Sequence, residues 1–197
     1  MAATILVTGF GPFPSAPVNP TDGLVKTLGR LRMPSVRIVT HVFRTSYIAV
    51  DHELPSLLGR YRPGALLMFG LAAATPHLRI ETWARNAIAK LPDTTGAVPA
   101  SRSIAPGRAP QVALPTLPRE LLAAARRARV AAAISDDAGD YLCNYLCWRA
   151  TAAARHWRGP RFAAFIHVPD NLPAADLARA GRAFLEAVAP RFSRNRS

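Results

Sequence analysis

Thr4-Ile5-Leu6-Val7-Thr8 is a short β-branched and aliphatic run that stops at Gly9. Such a run closed by a glycine is a buried strand feeding a loop. The loop reads Gly9-Phe-Gly-Pro-Phe-Pro-Ser-Ala-Pro-Val-Asn-Pro20, and beyond it Leu24, Val25 and Leu28 recur at helical spacing. That spacing predicts a helix from Thr21 to about Leu31, with Thr21 as its cap and Asp22 in a first turn that favours negative charge. A strand is expected over Val36 to Phe43, a helix over Ser46 to Arg60, a turn at Arg62-Pro63-Gly64 and a third strand over Ala65 to Phe69.

Outward from this βαβαβ alternation the pattern shortens. Leu78 to Ile88 reads as strand, and Pro92 to Pro115 as a long surface excursion, rich in Pro, Gly, Ser and Thr, with room for a hairpin. Helices are expected over Leu117 to Arg129, Asp140 to Trp157 and Ala174 to Val188. Strands are expected over Val130 to Ile134 and Arg161 to Val168. Alternation of this kind requires a largely parallel sheet covered by helices on both faces. With 197 residues, the chain suits one domain, read as residues 1–192, followed by a disordered tail at 193–197.

Composition excludes several classes. No stretch approaches the roughly 18 consecutive apolar residues of a membrane span. The start, Met-Ala-Ala-Thr-Ile-Leu-Val-Thr-Gly, has neither a basic leader nor a small-residue cleavage site. A cytoplasmic location is the expectation, and Cys143 and Cys147, four residues apart, fit a reduced compartment better than a disulfide framework. The net charge of +13 would suit an acidic partner, but arginine outnumbers lysine 23 to 2 and is scattered from Arg30 to Arg196. The charge therefore reads as solvated faces rather than a nucleic-acid footprint, and a basic binding module is kept only as an alternative.

Three residues could carry chemistry. Cys143 lies in Gly139-Asp-Tyr-Leu-Cys-Asn144, between a strand and the first turn of an apolar helix. The unpaired N–H groups and partial positive charge there favour thiolate over thiol and could also receive an oxyanion. An inert, buried helix cysteine is the plainer reading, and it is the one given to Cys147, a full turn deeper. His167 ends the strand Phe162-Ala-Ala-Phe-Ile-His-Val168, at the carboxyl edge where open α/β sheets gather their sites. Glu81, one of four glutamates, sits among apolar and aromatic neighbours and needs a partner there. A histidine N–H would serve, with the carboxylate fixing the imidazole tautomer, and so would an ion pair with Arg79 or Arg85. The other histidines, His41, His52, His77 and His156, have no metal-like spacing. Gly9-Phe-Gly11 is not a phosphate loop, because Pro14 stands where G-x-G-x-x-G needs its third glycine.

Five segments together resemble the type I pyroglutamyl peptidases, also called pyrrolidone carboxyl peptidases. They are Leu6-Val-Thr-Gly-Phe-Gly-Pro-Phe13 with Asn19-Pro20; Phe69-Gly70; Ile80-Glu81 with Ala84 and Asn86; Ala138-Gly-Asp-Tyr-Leu-Cys143-Asn144; and Phe165-Ile-His167-Val-Pro169. They occur in the family's order across nearly the whole chain. The resemblance implies a single-domain α/β/α sandwich with a largely parallel, partly mixed sheet, and a catalytic triad of Cys143, His167 and Glu81. It further implies a cysteine exopeptidase that removes N-terminal pyroglutamate through a thioester. Phe10 and Phe13 would wall the lactam pocket, with Thr45, Leu71 and Asn19 around it. No cofactor or metal is called for, and a homo-oligomer is an option. Departures from the family are Leu71-Ala-Ala-Ala-Thr75 in place of a glycine-rich stretch, Pro14-Ser-Ala-Pro17 in place of glycines, and Lys90 as the nearest match to the family's basic residue beyond the glutamate. They leave open a diverged or inactive member acting on another cyclic amide.

Overall fold

The computed structural model describes residues 2–14 and 16–193. Its centre is a six-stranded sheet built from β1 (Ala3–Phe10), β2 (Val36–Phe43), β3 (Ala65–Leu71), β4 (Leu78–Glu81), β7 (Ala132–Ser135) and β8 (Phe162–Val168), in the order β2-β1-β3-β8-β4-β7. The first four strands in that order are mutually parallel, β4 is antiparallel to β8, and β7 is parallel to β4. The reversal of β4 follows from chain length. Only residues 72–77 separate β3 from β4, whereas a parallel crossover needs about a dozen residues or more.

Strand periodicity sorts the core. Ile5, Val7, Leu67, Phe69, Ile166, Leu78 and Ile80 face one way, under α1 (Pro20–Leu28), α3 (Pro118–Arg127) and α5 (Ala174–Val188). Leu6, Leu66, Met68, Ala163 and Phe165 face the other way, under α2 (Tyr47–Tyr61) and α4 (Leu142–Ala154). The result is the expected sandwich of two helical layers around one mixed sheet. Because side chains alternate along a strand, Gly70, Arg79, Glu81 and His167 all belong to the α2–α4 face.

Several boundaries differ from the sequence reading. Helix α1 is capped by Asn19, whose Oδ1 accepts from the Thr21 N–H (3.1 Å), with Pro20 opening the helix. Thr21, the expected cap, lies inside the helix and gives its hydroxyl to the Phe10 carbonyl (2.9 Å). Helix α4 starts at Leu142 rather than Asp140, because Gly139 is left-handed (φ +78) and its N–H is taken by Asp137 Oδ1 (2.9 Å). Strand β7 starts at Ala132 rather than Val130: left-handed Arg129 (φ 55) ends α3, and the Val130 N–H donates back to Ala125 (3.0 Å).

The hairpin inside Pro92–Pro115 is not found. Instead β6 (Gln111–Ala113) reaches back to pair antiparallel with β5 (Trp83–Arg85), and residues 86–110 between them form no regular element. Asn86 holds this excursion closed, donating to the Ala105 carbonyl (2.7 Å) and accepting from the Ala105 N–H (2.7 Å) and Ser103 Oγ (2.9 Å). A four-residue helix, α6 (Pro190–Ser193), was not anticipated. It includes Ser193, and the rest of the expected tail lies outside the described residues. Among the described residues no helix is long and apolar enough to cross a membrane.

Candidate active site

Glu81 and His167 meet because β4 and β8 are neighbours. Arg79 is paired with His167 and Glu81 with Phe165, so Glu81 is the diagonal neighbour of His167 on one face, a distance that long side chains span. His167 Nδ1 lies 2.8 Å from Glu81 Oε1, and the ionised carboxylate can only accept, so the ring donates there. Glu81 is wholly buried and His167 is 5% exposed. The same Glu81 oxygen has Arg79 Nε at 3.2 Å. Both partners suggested by sequence are thus engaged at once, while Arg85 pairs elsewhere, with Asp137 (3.2 Å).

Cys143 is a second hydrogen-bond partner of the ring. It is half-buried, whereas residues 144–148 after it are buried. Burial alone would lower the His167 pKa, but the charge of Cys143 and its hydrogen bond, then the hydrogen bond and charge of Glu81, outweigh that and raise it to about 9. His167 is therefore held as imidazolium by the two side chains it meets. Phe165 packs edge-on to the imidazole, ring centroids 4.9 Å apart, and restricts its rotation. Cys147 is fully buried, and burial pushes its pKa well up. It stays a core residue.

The start of α4 is left open. Its cap position, Tyr141, makes no side-chain capping bond. The first intrahelical bond runs from Tyr145 N–H to the Tyr141 carbonyl (2.9 Å), so the N–H groups of Leu142, Cys143 and Asn144 precede the ladder. Donors of this kind beside a nucleophile suit a developing oxyanion. Asn144 holds the helix start in place: wholly buried, it accepts from the Arg85 N–H (2.8 Å) and donates to the carbonyls of Arg85 and Ala87 (both 2.9 Å).

The residues expected around a pocket fall into two groups. Phe10 is buried, tilted against Phe43 with centroids 6.0 Å apart, while Phe13 and Leu71 are half-buried and more accessible. Thr45 and Asn19 are buried, and both give a hydrogen to the Gly11 carbonyl (3.1 Å each). Their polar atoms serve the loop that carries the two phenylalanines. Lys90 is exposed, between Ala89, whose N–H donates to the Asp140 carbonyl (2.6 Å), and Pro92, whose carbonyl accepts from Tyr141 Oη (2.9 Å). The alanines after Leu71 cost nothing in backbone freedom, since no residue from 71 to 75 has a positive φ.

Sequence reasoning missed Gly70, Asn144 and Asp93. A buried asparagine beside the nucleophile was visible as a letter, but nothing local told which backbone it would clamp. Asp93 caps α2 from a distance, Oδ2 accepting from the Tyr47 N–H (3.0 Å) across 46 residues. A surface cavity of about 500 Å³ between α4 and residues 105–112 is lined by Trp148, Thr151 and Arg155 and is bordered by none of Cys143, His167 and Glu81. Among the described residues no group of three or more His, Cys, Asp or Glu could hold a metal ion.

A thiol at an open helix start, an imidazole and a buried carboxylate in series, on an α/β/α sandwich, define a cysteine hydrolase. The family model described as pyroglutamyl peptidase matches residues 3–183. The chain is 33% identical to the pyrrolidone-carboxylate peptidase of Deinococcus radiodurans over 210 residues, covering 96% of each. It is 32% identical to that of Pyrococcus furiosus over 167 residues, 84% of this chain and 80% of the relative. Among solved structures it is similar to the pyrrolidone carboxyl peptidase from Thermus thermophilus, with TM-score 0.83 and 30% identity over 93% of this chain and 100% of the other. The corresponding enzyme of Thermococcus litoralis gives TM-score 0.89 and 26% identity over 99% and 97%. The chain belongs to the pyroglutamyl peptidase family, and is a hydrolase of the cysteine peptidase class.

Proposed function

We propose that the chain hydrolyses the amide bond after an N-terminal pyroglutamyl residue, with Cys143 as nucleophile, His167 as general base and acid, and Glu81 as the group that orients His167. The observation carrying this reading is the continuous series from half-exposed Cys143 through His167 to buried Glu81. The Cys143 thiolate attacks the pyroglutamyl carbonyl, and the N–H groups at the start of α4 take up the oxyanion. His167 gives its proton to the leaving amine as the thioester forms. It then removes a proton from water, which attacks the thioester and expels the Cys143 thiolate, leaving His167 protonated as at the start. Glu81 holds the Nδ1–H tautomer, so that Nε2 faces the sulfur.

The lactam ring is compact and uncharged, and Phe10, Phe13 and Leu71 supply the apolar wall such a group needs. A cytoplasmic setting and a single domain over residues 1–192 complete the proposal; two free cysteines suit the former. Family membership and the triad favour hydrolysis over a basic binding module. Amine release from a pyroglutamyl arylamide by the native chain, and its fall by about three orders of magnitude or more in Cys143→Ser, is the expected result. Release that persists in Cys143→Ser would remove Cys143 from its role.

A further inference from the structure

We infer that Arg79 is a positioning residue of the catalytic centre, setting both the charge balance around His167 and Cys143 and the seat of the loop that delivers Cys143. This rests on the triad reading above. Arg79 precedes Glu81 by two residues and shares its face of β4. Its Nε lies 3.2 Å from Glu81 Oε1, the oxygen that also receives His167 Nδ1–H. A wholly buried carboxylate is costly unless compensated, and here a single oxygen sits between an imidazole and a guanidinium.

The guanidinium also reaches forward. Its Nη2 donates to Ser135 Oγ (2.7 Å) and to the Asp137 carbonyl, and its Nε lies 3.2 Å from Ser135 Oγ. Ser135 ends β7, and the next elements of chain are the 136–141 loop and the start of α4. Arg79 therefore joins the acid of the triad to the segment that carries the nucleophile. The planar fork of Arg suits this three-way contact in a way that a lysine ammonium does not.

The electrostatic part follows from the groups present. Facing the imidazole are Glu81 and Arg79 from β4 and Cys143 from α4. Beyond Arg79, Asp137 is already paired with Arg85 of β5. With Arg79, a fixed positive charge stands beside the Glu81 oxygen that also binds His167. Without that fixed charge, Glu81 and Cys143 share only His167, protons are held more tightly at the site, and both limbs of the pH profile move to higher pH. A merely structural arginine would lower stability or turnover without moving the limbs.

The test compares Arg79→Gln, which keeps a donor and loses the charge, with Arg79→Lys, which keeps the charge and loses the fork. Two profiles are recorded from pH 5 to 10: kcat/KM on a pyroglutamyl arylamide, and the rate of Cys143 alkylation by iodoacetamide, which needs no substrate. In Arg79→Gln, kcat should fall about 10- to 100-fold with KM changed little, and both limbs of the kcat/KM profile and the rising limb of the alkylation profile should move up by about 0.5 to 1 pH unit. In Arg79→Lys the limbs should stay where the native ones are while kcat falls. Limbs that do not move in Arg79→Gln, or that move equally in Arg79→Lys, overturn the inference. Should Arg79→Gln not fold, Ser135→Ala removes the guanidinium's forward anchor and should lower kcat with unmoved limbs; unchanged kcat there overturns the positioning role. A native chain that alkylates at Cys143 but releases no arylamine would instead overturn the substrate reading.

Discussion

A β-carbon on Gly70 would stand 2.6 Å from the Sγ of Cys143 and 2.5 Å from the Cζ of Phe165. Gly70 is paired with His167 across β3 and β8, so the hydrogen in place of a side chain opens the room in which sulfur meets imidazole. Gly70→Ala should push the sulfur or the Phe165 ring aside. A displacement near 1 Å costs about 100-fold in rate, and overpacking about 1 to 3 kcal/mol in stability. Arylamide turnover and thermal unfolding read the two effects. Full kcat/KM in Gly70→Ala would show that the sulfur is not confined there.

His167 links the active site to stability. Its pKa is raised from 6.5 to about 9 in the folded protein, despite burial, chiefly by the facing Cys143 and then by Glu81. A raised histidine stabilises the fold fully below pH 6.5 and loses that contribution as pH rises through about 9. Urea unfolding between pH 6 and 10 should show a decline on the order of 1 to 3 kcal/mol across that window. In Cys143→Ser, which lacks the principal charge holding the proton on, the decline should shrink and begin at lower pH. An identical decline in both proteins would mean that Cys143 does not face the ring.

Cys143, His167 and Glu81 each stood out in sequence for local reasons, and the family resemblance joined them into the triad proposed above. Cys143 is marked by its place between a strand and an apolar helix, and His167 by its place at a strand end. Glu81 is marked by an apolar setting that demands a partner, and sequence narrowed that partner to a histidine, Arg79 or Arg85. Only strand order could show that β4 lies beside β8, and that one oxygen serves both His167 and Arg79. The layers and most elements were equally legible, because periodicity is local. The pairing of β5 with β6 was not, since its register depends on the Asn86 and Asn144 clamps, whose partners are up to 59 residues away. Capping of α1 by Asn19 rather than Thr21 turned on a single position and on Pro20, which readily takes the first helical place.

Asp93 docks the excursion onto the loop that carries Thr45. Its Oδ1 accepts from Thr95 N–H (2.7 Å), Thr95 Oγ1 (2.6 Å) and Ala97 N–H (3.1 Å), while Oδ2 accepts from the Tyr47 N–H (3.0 Å). Burial opposes its charge, but the bonds from Thr95 and Tyr47 prevail and lower its pKa to about 2. Asp93→Asn can keep one set of bonds but must turn an NH2 toward the other. With the local turn retained, the dock to α2 is lost at a cost of about 1 to 3 kcal/mol. Since Thr94 also binds the Thr45 carbonyl, the lactam pocket proposed beside Thr45 should loosen, and KM for the arylamide should rise several-fold more than kcat falls. A fall in kcat at constant KM would place the effect at the nucleophile instead.

Asn144 is the remaining link between the start of α4, where Cys143 sits, and the strands beneath it. Its amide makes three bonds to the backbone of residues 85 and 87, and no other side chain has both the donors and the acceptor in that geometry. In Asn144→Ala the Arg85 N–H and the carbonyls of Arg85 and Ala87 lose their partner, each loss at these part-buried groups costing about 1 kcal/mol before relaxation. Asn144→Asp should be worse, because the carboxylate cannot donate to two carbonyls and adds an unpaired buried charge. The expected signature is faster hydrogen exchange at the Arg85 amide than in the native chain. It should be accompanied by loss of turnover at temperatures where circular dichroism still shows a folded protein, since the residue beside Cys143 has been released. Exchange at Arg85 that stays native while turnover falls would assign Asn144 a direct part in the chemistry rather than this clamp.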